Sequence, residues 1–206
     1  MVYILENNGV YGLTKGQYSA TAVKGSKKKK GPINQTQPID LCKLAINLGC
    51  TFVARSFSGS KKQLTALMKA AISHKGFALI DVISPCVTFN NNDESLRSYT
   101  YVKDNDVELH AYDYIPHQQP ITDVDVPEGE FHDIELFDGS VLRLETIGSD
   151  HDPTDAVAAL TALHQAEIED KHVTGLLYFD PTKATAIEDQ HLVSTPLSEI
   201  PDEQMR

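Results

Sequence analysis

Cysteine is scarce in this chain, and other common signals are absent. The three cysteines among 206 residues, Cys42, Cys50 and Cys86, are an odd number without regular spacing, so reduced thiols are expected rather than a disulfide framework. No apolar run approaches the roughly 20 residues of a membrane-spanning helix, and no signal-peptide pattern follows Met1. The eight histidines form no HxxxH or HExxH pair. These absences predict a soluble, cytoplasmic protein without a membrane contact.

Positive charge is scarce in the second half of the chain. Residues 1–103 carry 14 Lys+Arg and 5 Asp+Glu, a net charge of +9, whereas residues 104–206 carry 4 and 24, a net charge of −20. The acidic half disfavours nucleic acid and anionic membranes as partners, and the basic half suits a diphosphate, a dianionic oxoacid or an acidic electron carrier. The four lysines at residues 27–30 could suit nucleic acid, but without interleaved aromatics a solvated or partner-facing loop is favoured.

Apolar periodicity predicts alternating strands and helices in the first ninety residues. Strands are predicted at residues 2–5, 51–55 and 77–83, the first short and apolar enough to be buried on both faces. One helix is predicted to begin at Pro38 and to end at Gly49. A second follows Ser60, which forms a capping-box pattern with Gln63. This order indicates an α/β fold with a parallel sheet and right-handed crossovers.

The second half shows a different pattern. A weak helix is predicted at residues 96–109, a proline-rich connector at 115–127, and a β-hairpin at 131–137 and 141–146 around Asp138-Gly139. A final helix is predicted with Asp152 as its N-cap and Pro153 at its first position, before a strand at residues 175–179. This half therefore looks like a β appendage followed by one further helix and strand.

The loop that follows the first strand carries the clearest chemical signal. Residues 6–17 read ENNGVYGLTKGQ, and ligands of parallel sheets bind beyond the carboxyl ends of the strands. Glycines at 9, 12 and 16 allow close approach of the backbone to a phosphate, and carboxamide and carbonyl oxygens suit magnesium. The tripeptide Asn-Asn-Gly alone is also an ordinary turn signal.

The longer string from Asn8 to Gln17 resembles the second half of the thiamine diphosphate motif in β subunits of 2-oxoacid:ferredoxin oxidoreductases. Further segments occur in the family's order and approximate spacing, at residues 52–55, 62–64, 76–90, 152–155 and 174–178. The resemblance implies an α/β, partial thiamine diphosphate-binding fold with a mainly parallel sheet and a small β-hairpin appendage. Residues 1–92 would be the C-terminal part of the cofactor domain, and residues 93–206 a C-terminal extension.

The resemblance also assigns roles to residues of the loop. It implies that Asn8 binds Mg²⁺ through its side-chain oxygen and that Val10 binds it through its main-chain carbonyl. Tyr11, Gly12 and Leu13 would offer main-chain groups to the diphosphate. Thiamine diphosphate and Mg²⁺ are therefore the expected cofactors.

Two further residues have both a functional and a structural interpretation. Lys15 lies where it could bind a substrate carboxylate and favour 2-oxoglutarate over pyruvate; otherwise it is a solvated lysine. Cys86 corresponds to the last ligand of the family's four-cysteine [4Fe-4S] cluster, but one thiolate cannot hold a cluster. In this chain alone Cys86 is better interpreted as a small buried thiol, and Cys42 and Cys50 as core residues.

Two family features are missing from the chain: the Gly-Asp-Gly-Asp segment, whose aspartate binds magnesium, and the other cluster cysteines. We therefore expect the C-terminal part of a subunit, inactive alone, from an enzyme that oxidatively decarboxylates 2-oxoglutarate or another 2-oxoacid. The resemblance implies coenzyme A as acyl acceptor, ferredoxin as electron acceptor and an α subunit as partner. The alternative is a truncated, non-catalytic remnant that acts only as a subunit-interaction module.

Overall fold

The computed structural model describes residues 1–26, 32–88, 91, 95–115, 131–135, 141–146, 151–183, 185–193, 195 and 197–199. The strands are β1 (Val2–Asn7), β2 (Val10–Tyr11), β3 (Gln17–Tyr18), β4 (Phe52–Phe57), β5 (Ala78–Ile83), β6 (Asp106–Glu108), β7 (His110–Ile115), β8 (Phe131–Glu135), β9 (Val141–Thr146) and β10 (His172–Phe179). The helices are α1 (Leu41–Asn47), α2 (Lys61–Ser73), α3 (Tyr99–Asn105), α4 (Ala156–Ile168) and α5 (Ala186–Asp189), with a 3₁₀ turn at Leu197–Glu199.

The main sheet has five strands in the order β1-β5-β4-β10-β6. Strands β1, β5 and β4 are mutually parallel, and β10 runs antiparallel to β4 but parallel to β6. Helix α2 packs against one face around Leu67, and α1 and α4 cover the other around Cys42 and Leu163. The prediction of an α/β fold with a mainly parallel sheet is therefore confirmed.

The first strand differs from its prediction. It lies at one edge of the described main sheet and pairs with β5, so it is not buried on both faces. Tyr3 and Ile4 are 51% and 45% exposed. Short apolar composition is shared by central and edge strands, so the local sequence could not separate the two.

Helix α1 begins later than predicted. Asp40, not Pro38, precedes its first turn, and the Asp40 side chain accepts a hydrogen bond from the Lys43 N–H. Gly49 follows the helix with φ +84°, as expected for a glycine that ends a helix. Leu44 and Leu48 are exposed, because α1 packs against the sheet through the side that carries Cys42, Ala45 and Ile46.

Helix α2 forms as predicted but without the capping box. The Ser60 side chain makes no cap hydrogen bond, and Gln63 instead accepts one from Ser56 and donates to Glu108 and Thr174. The spacing suits a capping box, but the Gln63 carboxamide instead forms hydrogen bonds with side chains on three neighbouring strands. Tertiary contacts thus overrode the local signal.

The second half is a mixture of confirmed and corrected elements. The predicted helix at 96–109 is shorter, since α3 ends at Asn105 and β6 follows. Strands β8 and β9 pair antiparallel as expected, within a three-stranded sheet ordered β7-β9-β8. Their turn and most of the proline-rich connector lie outside the described residues.

The N-cap of α4 is Asp155 rather than Asp152. Its side-chain oxygen accepts hydrogen bonds from the N–H groups of Val157 and Ala158. Asp152 instead accepts from Thr154 in the preceding turn. The division at residues 92 and 93 stays a prediction, although β6 and β10 of the second segment extend the main sheet beyond β4.

Candidate cofactor site

The loop after β1 is built as a small hairpin at the carboxyl end of that strand. Strands β2 and β3 pair through Val10 with Tyr18 and Tyr11 with Gln17. Gly9 and Gly16 have φ values of +71° and +88°, which glycine adopts without a steric penalty. These two glycines therefore shape the loop, and the close approach of its backbone to a phosphate stays a prediction.

Asn8 and Val10, the predicted magnesium ligands, lie together in this loop. The Asn8 Oδ1 accepts a hydrogen bond of 2.9 Å from the Val10 N–H. A carboxamide oxygen carries two lone pairs, so this bond does not by itself exclude a cation as a second partner of that oxygen. Side-chain and main-chain oxygens are the donor type that magnesium prefers, and this pair fits such an ion.

The predicted diphosphate contacts lie at the open tip of the hairpin. The Tyr11 carbonyl accepts from the Gly16 N–H at 2.9 Å, and the Gly12 carbonyl accepts from the Lys15 N–H at 3.1 Å. No described residue accepts a hydrogen bond from the N–H of Gly12 or Leu13. These two N–H groups can therefore donate hydrogen bonds to an anion. The carbonyls of Tyr11 and Gly12 already accept hydrogen bonds within the turn.

Lys15 is exposed and has a left-handed backbone, with φ 72°. This conformation costs an ordinary L-residue roughly 1 kcal/mol, and glycine or asparagine is the usual choice. Such strain often occurs at functional sites. The side chain projects from a constrained turn, which is compatible with both roles considered for it, substrate contact and solvated lysine.

Cys86 follows β5 and meets the hairpin. A Cβ placed on Gly12 would lie 3.9 Å from the Cys86 Sγ, so the loops after β1 and β5 are in contact. Cys42 and Cys50 are buried elsewhere, and burial raises the pKa of both thiols. Within the described ranges no group of three or more His, Cys, Asp or Glu could hold a metal ion.

A buried polar network, missed in the sequence, lies directly beneath this loop. We call it the Asn7 network, and its members lie on β1, β4, β5 and the segments around them. Asn7 donates to the Asp81 Oδ1 at 2.9 Å, and the other Asp81 oxygen accepts from the Arg55 Nε at 2.9 Å. Its members are Asn7, Thr21, Asp40, Arg55, Asp81 and Arg97.

The charges of the Asn7 network balance. Burial alone would raise the pKa of Asp40, but attraction to Arg55 and Lys43, together with hydrogen bonds from the Lys43 N–H and from Arg55, leaves that pKa below its usual value. Burial would lower the pKa of Arg55, and neighbouring Cys42, Asp40 and Asp81 together raise it well above its usual value. The network thus holds two arginines and two aspartates, and Arg55 pairs with both aspartates.

A sequence signal for this network did exist. Arg55 and Asp81 are single charged residues in the middle of the otherwise apolar strands FVARSF and ALIDVI, and buried charges require partners. The parallel register places Arg55 opposite Asp81. A small cavity of about 130 Å³ adjoins the pair, with Asn7, Arg97 and His172 among its lining residues.

Comparison with known proteins gives this site a class. Residues 1–82 match the family described as thiamine pyrophosphate enzyme, C-terminal TPP binding domain. The hairpin, Asn8 and most of the Asn7 network lie inside that match. Over these residues the chain is similar to the C-terminal cofactor-binding domain of thiamine pyrophosphate enzymes.

The particular relatives are β subunits of 2-oxoacid:ferredoxin oxidoreductases. The Sulfolobus sp subunit is 52% identical over 92 residues, which cover 44% of this chain and 30% of the relative. The 2-oxoglutarate synthase subunit KorB of Methanocaldococcus jannaschii is 35% identical over 140 residues, 66% of this chain and 51% of the relative. The family resemblance drawn from the motifs is therefore confirmed.

A solved structure extends the similarity to nearly the whole chain. It is described as 2-oxoglutarate:ferredoxin oxidoreductase from Magnetococcus marinus with 2-oxoglutarate, coenzyme A and succinyl-CoA bound, and it matches with a TM-score of 0.66 and 26% identity. The match covers 93% of this chain and 50% of the other. This chain thus spans about half or less of the relatives compared. None of the helices described in it is long and apolar enough to cross a membrane.

Proposed function

We propose that this chain is part of the thiamine diphosphate-binding β subunit of a 2-oxoacid:ferredoxin oxidoreductase. The reaction is oxidative decarboxylation of 2-oxoglutarate, or another 2-oxoacid, to the acyl-CoA with reduction of ferredoxin. The observation that carries the proposal is the hairpin at the carboxyl end of β1, where Asn8 and Val10 lie together within the matched domain. The residue division at 92 and 93 and a cytoplasmic location belong to the same proposal.

The loop residues have defined tasks in this proposal. The Asn8 side-chain oxygen and the Val10 carbonyl bind Mg²⁺, and the N–H groups of Gly12 and Leu13 donate to the diphosphate. Bound thiamine diphosphate supplies the nucleophilic carbon and the electron sink for decarboxylation. The loop needs no acid–base side chain of its own, because its role is to bind and orient the metal and the diphosphate.

Lys15 and Cys86 have proposed roles toward substrate and electrons. Lys15 binds the second carboxylate of 2-oxoglutarate, for which an exposed ammonium on a constrained turn is suited. Cys86 is one ligand of a [4Fe-4S] cluster whose other cysteines lie outside this sequence. An α subunit, coenzyme A and ferredoxin complete the reaction, and the names of the relatives support these partners.

A second candidate function is a non-catalytic subunit-interaction module. It is favoured by the exposed side chain of Tyr3 on the edge strand β1, which lines one groove with exposed Leu44 and Leu48 of α1. Apolar patches of this kind often mark protein interfaces. This function requires no cofactor, and cofactor binding separates the two candidates.

The test is a titration of the ¹⁵N-labelled chain with thiamine diphosphate in excess MgCl₂, followed by amide chemical shifts. We expect weak binding, since only part of the metal-binding set is present, with shifts concentrated at residues 8–16. Asn8→Ala should weaken this binding at least about tenfold, whereas the control Asn47→Ala, at an exposed position of helix α1, should not. Unmoved loop amides in the unmutated chain would leave the interaction module as the better account.

A further inference from the structure

Asn7 is the last residue of β1 and directly precedes Asn8. It is buried, and each polar group of its side chain has a partner. The Nδ2 donates to the Asp81 Oδ1 at 2.9 Å. The Oδ1 accepts from the Thr21 hydroxyl at 2.7 Å and from the Arg97 Nη1 at 2.8 Å. Three separate segments thus converge on one carboxamide.

The main chain of Asn7 is held as well. Its carbonyl accepts from the Ser84 N–H at 3.1 Å and from the Arg97 Nη1 at 3.3 Å. The loop beyond it has mainly exposed side chains at residues 11–15. Its return is tied by the bond from the Ser19 N–H to the Gly9 carbonyl, at 3.2 Å. The path of the chain into Asn8 is therefore set by the contacts of Asn7.

Arg97 is an unusual partner for such a position. It is buried, yet within the described residues it donates to neutral acceptors, the Asn7 oxygens and the Thr21 carbonyl at 2.8 Å. Burial lowers the pKa of Arg97, and the charge of Asp81 opposes this effect. A guanidinium on neutral oxygens is a costly arrangement, and ordinary core packing does not require it.

We propose that Asn7 is a positioning residue, held by Arg97 and Asp81 so that the backbone enters the cofactor loop in one conformation. The inference rests on the proposed function and deepens it. Asn8 and Val10 are then already ordered when the metal and diphosphate arrive, and the entropy of ordering the loop is not lost on binding. Arg97 and Asp81 act through Asn7 and need not touch the cofactor.

Hydrogen exchange of the chain without ligand tests directly whether the contacts of Asn7 hold the cofactor loop in one conformation. Arg97→Met removes the donor to both Asn7 oxygens and should speed exchange at residues 8–19 by about tenfold or more. The matched control is Gln63→Leu, because Gln63, like Arg97, is buried and makes three hydrogen bonds, to Ser56, Glu108 and Thr174, away from the loop. It should destabilise the fold but leave exchange at residues 8–19 within about twofold.

Equal exchange in the two variants would overturn the proposal. If Arg97→Met does not fold, Thr21→Ala is the second variant. It removes one bond to Asn7 and should speed loop exchange about threefold, and unchanged exchange would count equally against the positioning role of Asn7.

The thiamine diphosphate titration separates this proposal from the proposed function. Weaker binding by Arg97→Met but not by Gln63→Leu supports both. If Arg97→Met alters exchange but thiamine diphosphate shifts no loop amides in the unmutated chain, the positioning role of Asn7 is retained and the proposed cofactor binding is rejected.

Discussion

Asp81→Asn is the substitution expected to damage the fold most for the smallest change of shape. Asp81 is 1% exposed, and its two oxygens accept separately from Arg55 and from Asn7. A carboxamide offers one oxygen, so one donor is left facing an NH₂ group. The Arg55 guanidinium also loses the more deeply buried of its two counter-charges.

The expected loss of folding free energy in Asp81→Asn depends on the ion pair that Arg55 keeps. Breaking a buried ion pair by removing one partner costs about 3–5 kcal/mol. Because Arg55 keeps Asp40 at 2.9 Å, we expect the lower end, about 3 kcal/mol. Asp40→Asn is the matched comparison: that side chain is 23% exposed and asparagine still caps α1, so about 1 kcal/mol is expected.

Urea unfolding followed by circular dichroism measures both variants. The unfolding midpoint should fall much further for Asp81→Asn than for Asp40→Asn, with an unchanged dependence on urea concentration. Equal losses, or a loss below about 1 kcal/mol for Asp81→Asn, would mean that the buried pair is relaxed by water or by local movement. The charge balance assigned to the Asn7 network would then be wrong.

Three further predictions concern titration and substrate choice. Burial lowers the pKa of His74 and of His172 to about 4, so the unfolded chain binds protons first and stability should be lost as pH falls from 6.5 to 4; NMR titration of the rings checks the values. Burial raises the pKa of Asp106 to about 6, so its ionisation opposes folding as pH rises from 3.8 to 6, and Asp106→Asn should add about 1 to 2 kcal/mol at pH 7.5 but little at pH 4, measured by thermal unfolding. In the assembled enzyme, Lys15→Ala should lower kcat/KM for 2-oxoglutarate about ten- to hundredfold while pyruvate turnover changes much less, with exposed Lys24→Ala as control; equal losses on both substrates would contradict the carboxylate contact.

The strands and the loop were predictable because their signals are local. Apolar runs marked β1, β4 and β5, and the glycines marked a loop beyond β1. The choice between two aspartates was not local: Asp152 and Asp155 both suit an N-cap, and only the path of the chain into α4 selects Asp155. Sequence spacing was a weaker guide wherever a distant partner competed for a side chain, as it did at Gln63.

The Asn7 network lay outside sequence reasoning for a related reason. Arg55 and Asp81 are 26 residues apart, and Arg97 reaches Asn7 across 90 residues. Their pairing depends on the register of parallel strands and on the course of the segment before α3. A charged residue within an apolar strand announces that a partner exists, but only the three-dimensional register identifies it.

The edge position of β1 has a practical consequence for handling the protein. Its outer row of N–H and C=O groups, flanked by exposed Tyr3 and Ile4, has the composition of a strand that recruits other strands. Glu6 is the one charged residue in VYILEN, so electrostatic protection against such recruitment is slight. Concentrated solutions should therefore be prone to aggregation. Ile4→Lys would place a charge on this edge strand that opposes pairing with another strand, without disturbing the carboxyl end of β1.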